Sequence, residues 1–234
     1  MLDCEDTEKW AGHERYWIDG LRRDGEEWRN YRVWAGELPE DIDALDGIVV
    51  TGSHHSALDD SLPWLRSLLS FLRAASGGPR VFGACFGCQV LARALGGRVG
   101  ANPRGRFVFG AESISMRPDF FTGWPAPDGA AVRTSITLLE SHSECVVELP
   151  PGASLLGGSS SAANEIFAVG GLVLAVQGHP ELPREALIEK ILPALREKQR
   201  LDASEEAAAL RSMERPLDDL FMMGVIRRFL DGPA

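Results

Sequence analysis

Arg80-Val81-Phe82-Gly83-Ala84-Cys85-Phe86-Gly87-Cys88-Gln89 is the stretch on which the fold turns. Arg80-Val81-Phe82 begins an apolar, strand-like run, and Phe86 to Leu95 has a helical period closed by Gly96-Gly97. The strand passes into the helix through G-x-C-x-G, the nucleophile-elbow pattern with cysteine in the serine position. Positions 83 and 87 must be small, because neighbouring backbone passes close to a turn this tight. A sulfur held there lies at a helix N-terminus, where the dipole and free N–H groups favour thiolate and can stabilise an oxyanion.

On the N-terminal side, Ile48-Val49-Val50 is a second wholly apolar run, entering Thr51-Gly52-Ser53. Leu62 to Ala75 is helical in period until Gly77-Gly78-Pro79 stops it. Further upstream, Trp10–Arg23 reads as a helix ending at Gly25 and Trp28–Trp34 as a strand. Strand and helix alternate, which predicts a three-layer α/β fold with a mostly parallel open sheet flanked by helices. Beyond Phe107 come short runs near Phe107–Met116, Ile136–Leu139, Cys145–Leu149, Leu155–Gly158, Glu165–Val169 and Leu172–Gln177, all read as strands and hairpins. Gly170-Gly171 marks one hairpin. Helices are expected at Arg184–Gln199, Ala203–Glu214 and Leu217–Leu230, and a surface loop at Pro118–Gly129. No internal repeat or linker divides the chain, so residues 1–234 are read as one domain.

Composition narrows the function classes. The 234 residues are 44% hydrophobic and 25% charged, a globular profile, and their net charge of −10 repels phosphate backbones. Nucleic acid is therefore not an expected partner. No apolar run approaches a membrane span, and the N-terminus lacks a signal-peptide pattern. Four cysteines make no disulfide framework, which suits a reducing compartment, the cytoplasm by default.

A thiolate nucleophile needs a base, and the base an orienting group. Gln177-Gly178-His179-Pro180-Glu181 offers both directly after an apolar strand, where active sites of open parallel sheets collect. Cys85, His179 and Glu181 are thus the candidate catalytic set.

These motifs resemble those of the class I glutamine amidotransferase-like proteins, which carry G-x-C-x-G-x-Q and H-x-E. The resemblance extends to Asp46–Ser53 and to Ser141-His142 followed by an acidic residue, and covers Leu2 to about Leu230. Within that family the texture is nearest the plant γ-glutamyl peptidases, in Thr-Gly-Ser, Cys-Phe-Gly and Val147-Glu148-Leu149-Pro150-Pro151-Gly152. The resemblance implies a flavodoxin-like sheet and a hydrolase that cleaves a γ-glutamyl amide, such as glutathione or its conjugates, through a thioester. It implies an oxyanion hole from the backbone N–H groups of Ser53 and Phe86. It also implies that Gln89 and the backbone of Ser141, Ser143 and Glu144 hold the γ-glutamyl group. No metal or organic cofactor is expected. The alternative is a glutaminase subunit passing ammonia to a separate synthetase chain. Cys88, Glu144 and His54 depart from the family pattern, which usually has His, Asp and Pro, and the first strand reads as shortened.

Other readings compete at single residues. Cys85-x-x-Cys88 is also a redox spacing, which would suit a regulatory thiol protein, yet it leaves the glycine frame and His179 unexplained. A zinc site has less support still, because no second Cys/His pair sits at ligand spacing. His54 and His55 are read either as substrate contacts or as exposed loop residues, and His13 as surface. Trp10, Trp17, Trp28 and Trp34 read as core.

Overall fold

The computed structural model describes residues 1–118, 120 and 133–232. Its strands are β1 (Leu2–Asp3), β2 (Tyr31–Arg32), β3 (Gly47–Val50), β4 (Arg80–Ala84), β5 (Arg98–Ala101), β6 (Val108–Met116), β7 (Ser135–His142), β8 (Glu144–Glu148), β9 (Ala153–Gly158), β10 (Ile166–Val169) and β11 (Val173–Val176). Nine of them form one sheet in the order β2-β1-β3-β4-β11-β10-β9-β6-β7. The run β2-β1-β3-β4-β11 is parallel, and the strands from β11 to β7 are antiparallel. Strands β5 and β8 make a separate antiparallel ribbon.

Alternation along the central strands explains why they read as continuous apolar runs. Ile48, Val50, Val81, Val173 and Ala175 face helices α2 (Leu65–Ala75) and α3 (Phe86–Ala94). Val49, Phe82, Leu174 and Val176 face α1 (Glu14–Leu21) and the C-terminal helix Asp219–Asp231, through Trp17, Leu21, Met222 and Phe229. With both faces covered, neither set of side chains can be polar. Burying one large side chain such as Phe82 contributes about 2–3 kcal/mol. A third cluster, including Phe109, Leu139, Leu187 and Leu195, lies against the antiparallel half.

The three-layer α/β expectation holds. Several boundaries differ, each for a local reason. The expected helix Trp10–Arg23 is a 3-10 turn at Glu8–Trp10 followed by α1, because Gly12 takes a left-handed φ of 83° and interrupts it. Of Trp28–Trp34 only Tyr31–Arg32 pairs, since β1 offers just two residues as partner, and Val33–Ala35 turns into a 3-10 helix. The expected helix Arg184–Gln199 is split into Arg184–Ala186, a π-helical Leu187–Ile191 and Leu192–Glu197. Pro193 lacks an N–H and would crowd the carbonyl four residues back, which the wider turn relieves. Helix Ala203–Ser212 begins on a capping box between Asp202 and Glu205. Strand β5 carries no sequence signal beyond one valine between Arg98 and Gly100. The expected loop Pro118–Gly129 lies outside the described residues except at Pro118 and Phe120. Among the described residues no helix is long and apolar enough to cross a membrane.

Candidate active site

Cys85 occupies the junction of β4 and α3 with φ 51° and ψ −107°, a conformation that costs a residue with a side chain about 1–3 kcal/mol. Its N–H donates to the Val176 carbonyl at 2.9 Å, which ties the turn to the end of β11. The flanking glycines have a measurable cause. A Cβ on Gly83 would lie 2.6 Å from the backbone of Gly87, and one on Gly87 would lie 2.3 Å from the Val50 oxygen. The first turn of α3 is seated on β3 and β4 with no room for a methyl group.

His179 follows β11, and its N–H donates to the Leu139 carbonyl at 2.8 Å, bridging this loop to β7. Its Nδ1 lies 2.9 Å from Glu181 Oε1, which leaves Nε2 for Cys85. Gly52 is wedged against both partners: a Cβ there would sit 3.1 Å from His179 Cε1 and 3.7 Å from Cys85 Cβ. Burial alone would lower the pKa of His179. Negative charge at Cys85 and Glu181, with hydrogen bonds to both, instead holds it well above the usual value. The sulfur of Cys85 also points at the Ser141 carbonyl, 3.9 Å away.

Ser53, Phe86, Gln89, Ser141, Ser143 and Glu144 border the same cavity as Cys85, His179 and Glu181, a space of about 300 Å³. Phe86 is the first residue of α3, so its N–H has no intrahelical acceptor. Gln89 is buried, and its amide nitrogen donates to the Glu144 carbonyl at 2.9 Å and to Gln177 Oε1 at 3.2 Å. It therefore braces the Ser141–Glu144 wall as well as bordering the cavity. Glu144 in turn accepts from Ser56 Oγ at 2.8 Å.

His13 is not a surface residue. Its Nδ1 meets the Trp10 carbonyl at 2.9 Å, its Nε2 lies 3.1 Å from Asp3 Oδ1, and the ring borders the cavity. Gly12 turns the chain so that this histidine faces inward. His54 and His55 border the cavity too, with ring centroids 3.9 Å apart. His54 Nδ1 lies 2.9 Å from Glu5, whose carboxyl is held at a pKa of about 2 against its burial by hydrogen bonds from His54 and Thr7. Cys88 is fully buried in the core against α2 and the sheet, where burial raises its thiol pKa well above the usual value. That placement argues for packing over redox exchange.

Sequence reasoning missed a second part of the cavity lining. Trp10, Tyr16, Phe107, Leu182 and Leu195 belong to one apolar cluster and form it, and the same lining includes the cations Lys9, Lys198 and Arg200. Apolar spacing in Arg184–Gln199 was the only trace of it, and such spacing cannot distinguish a cavity wall from core. A second unforeseen feature lies behind His179, where Glu140, His142 and Glu165 are all buried. Burial and the neighbouring Glu165 raise Glu140 well above the carboxylate range. Burial and Glu112 raise Glu165 to about 8, against a hydrogen bond from Ser159, and burial lowers His142 to about 4.

Comparison with known proteins agrees with this geometry. The family model described as "Glutamine amidotransferase class-I" matches residues 29–192. Gamma-glutamyl peptidase 5 of Arabidopsis thaliana is 34% identical over 191 residues, spanning 78% of this chain and 72% of that protein. GMP synthase (glutamine-hydrolyzing) of Porphyromonas gingivalis is 30% identical over 150 residues, 62% of this chain but 27% of that one. The crystal structure of a glutamine amido transferase from Methylobacillus flagellatus superposes with a TM-score of 0.73 at 23% identity, covering 99% of this chain and 90% of that chain, a likeness of fold.

Proposed function

Because this chain belongs to the class I glutamine amidotransferase family, we propose that it is a cysteine hydrolase of γ-glutamyl amides, acting on peptides such as glutathione and its S-conjugates. The observation that carries this reading is a strained Cys85 and a His179 oriented by Glu181, both opening on one cavity. With the thiol proton carried by His179, the thiolate attacks the γ-carbonyl carbon while the carbonyl π electrons move to oxygen. The N–H groups of Ser53 and Phe86 hold that oxyanion. On collapse the C–N bond breaks and the amine leaves with the proton from His179. Water, deprotonated by the same ring, then adds to the thioester carbon, and glutamate departs as sulfur recovers its electron pair.

The two walls divide the recognition. Gln89, Ser141, Ser143 and Glu144 take the γ-glutamyl group. The aromatic wall with Lys9, Lys198 and Arg200 suits a leaving group that is both apolar and anionic, as in a glutathione S-conjugate. Purified protein assayed for glutamate release should turn over S-conjugates faster than glutathione, and glutathione faster than glutamine. The reverse order would displace this reading.

A second reading, a glutaminase that delivers ammonia to a synthetase chain, is favoured by one observation. The GMP synthase relative is covered over only 27% of its length, so most of that protein lies outside the similarity. Glutamine hydrolysis strongly stimulated by a second protein would establish it.

A further inference from the structure

We propose that Glu140, His142 and Glu165 form a buried site for a divalent transition-metal ion, Zn²⁺ by its donor chemistry, behind the loop that carries His179. Glu140 and His142 alternate on one face of β7, and Glu165 immediately precedes β10. One ligand atom from each lies within 4.8 Å of the others. Glu140 and Glu165 are 0% exposed and His142 is 4% exposed. Both Glu140 oxygens, Glu165 Oε2 and His142 Nε2 lack any hydrogen-bond partner.

The histidine gives the cluster its direction. Nδ1 of His142 lies 3.0 Å from the Glu144 carbonyl, so Nδ1 carries the hydrogen and Nε2 is a bare lone pair. That lone pair faces Glu140 Oε2 at 3.5 Å, too long for a good hydrogen bond. The same distance matches the edge of about 3.4 Å between tetrahedral ligands bound at about 2.1 Å. A ring nitrogen anchored on a backbone carbonyl is also the usual outer-shell arrangement of a metal-bound histidine. Ser159 holds Glu165 Oε1 at 2.5 Å, which leaves Oε2 for the ion. One neutral imidazole and two carboxylates balance a 2+ charge, so the buried group becomes neutral. His142 borders the substrate cavity, which provides the route from solvent.

The ion would join β7 to β10 without touching the reacting atoms. Its effect would reach the chemistry through position. A Cβ on Gly178 would lie 2.5 Å from Glu140 Oε1, and Leu139 holds the His179 N–H, so Glu140 supports the catalytic loop from behind.

The test uses the full chain carrying Cys85→Ala and His54→Ala, which remove the catalytic thiol and the exposed Asp6–His54–His55 group as competing ligands. This parent and its Glu165→Gln derivative are equilibrated with Zn²⁺, dialysed and assayed for metal and for thermal unfolding. The expected result is one Zn²⁺ more per chain in the parent, with a metal-dependent rise in Tm that the derivative lacks. Co²⁺ in the parent should show four-coordinate d–d bands without a thiolate charge-transfer band, which separates this site from Cys88 and Cys145. Equal metal content and equal Tm shifts overturn the proposal and assign the buried carboxyls shared protons instead. If Glu165→Gln does not fold, absence of the d–d bands in the parent overturns it alone.

Discussion

A thiol, an imidazole and a carboxylate act as one unit when the base is both placed and turned correctly. Glu181 turns His179 by holding Nδ1 at 2.9 Å, and Gly52 leaves the space in which the ring meets Cys85. The unequal roles predict unequal losses. Cys85→Ala and His179→Ala should each lower kcat by on the order of 10⁴-fold or more, while Glu181→Gln retains roughly a hundredfold more activity than either. Circular dichroism and Tm near wild type would show that the fold survives. A larger loss in Glu181→Gln than in His179→Ala would reverse the assigned roles. All three residues were legible because each stands in a short motif whose chemistry depends on neighbours in sequence. His13 was not, because its inward direction depends on the left-handed turn at Gly12 and on Asp3, a strand away.

At the scale of elements, the strand-to-helix junction is where backbone and function coincide. Gly87 lets α3 rest on β3, and the 2.3 Å approach of its absent Cβ to the Val50 oxygen leaves nothing flexible to move aside. Gly87→Ala should therefore cost about 3 kcal/mol of stability by overpacking, read from urea unfolding, and should lower activity in the fraction that remains folded. Stability equal to wild type would mean that α3 does not sit as closely as the structure shows. The π-helical turn at Leu187–Ile191 illustrates the opposite case. Pro193 is visible in the sequence, but whether a proline ends a helix, kinks it or widens one turn depends on what the flanking turns pack against. Here Leu187, Leu192 and Leu195 are all held in the third apolar cluster, so the helix continues through the defect.

At the scale of the whole molecule, the last helix is coupled to the far edge of the sheet. Asp218 precedes helix Asp219–Asp231, accepts from the Thr137 N–H at 2.8 Å and donates its own N–H to the Thr137 carbonyl at 2.9 Å. Its carboxylate also pairs with Arg133. One side chain thus blunts the open edge of β7 and fixes the entry of a helix that packs beneath β3 and β4. Asp218→Ala should cost about 1.5–3 kcal/mol, the range for hydrogen bonds to a charged group, while leaving the rate constants of the folded enzyme unchanged. A midpoint shift in urea at constant kcat is the expected signature, and an unshifted midpoint would dissociate the helix from the edge.

The sequence by itself determined the alternation of strand and helix along the first half of the chain, the elbow and the His-x-Glu pair. These depend on periodicity, on glycine and on chemistry within a few residues. Tertiary structure alone decided the remainder. The aromatic and cationic wall of the cavity is assembled from Trp10, Phe107 and the helical turns beyond Leu182, segments with nothing in common in sequence. The buried group Glu140–His142–Glu165 joins two residues of β7 to one that precedes β10, segments brought together only by the fold. A carboxylate in a β-strand carries no mark of burial, since hydrophobic patterning records which residues avoid water and not which charged groups are forced together away from it.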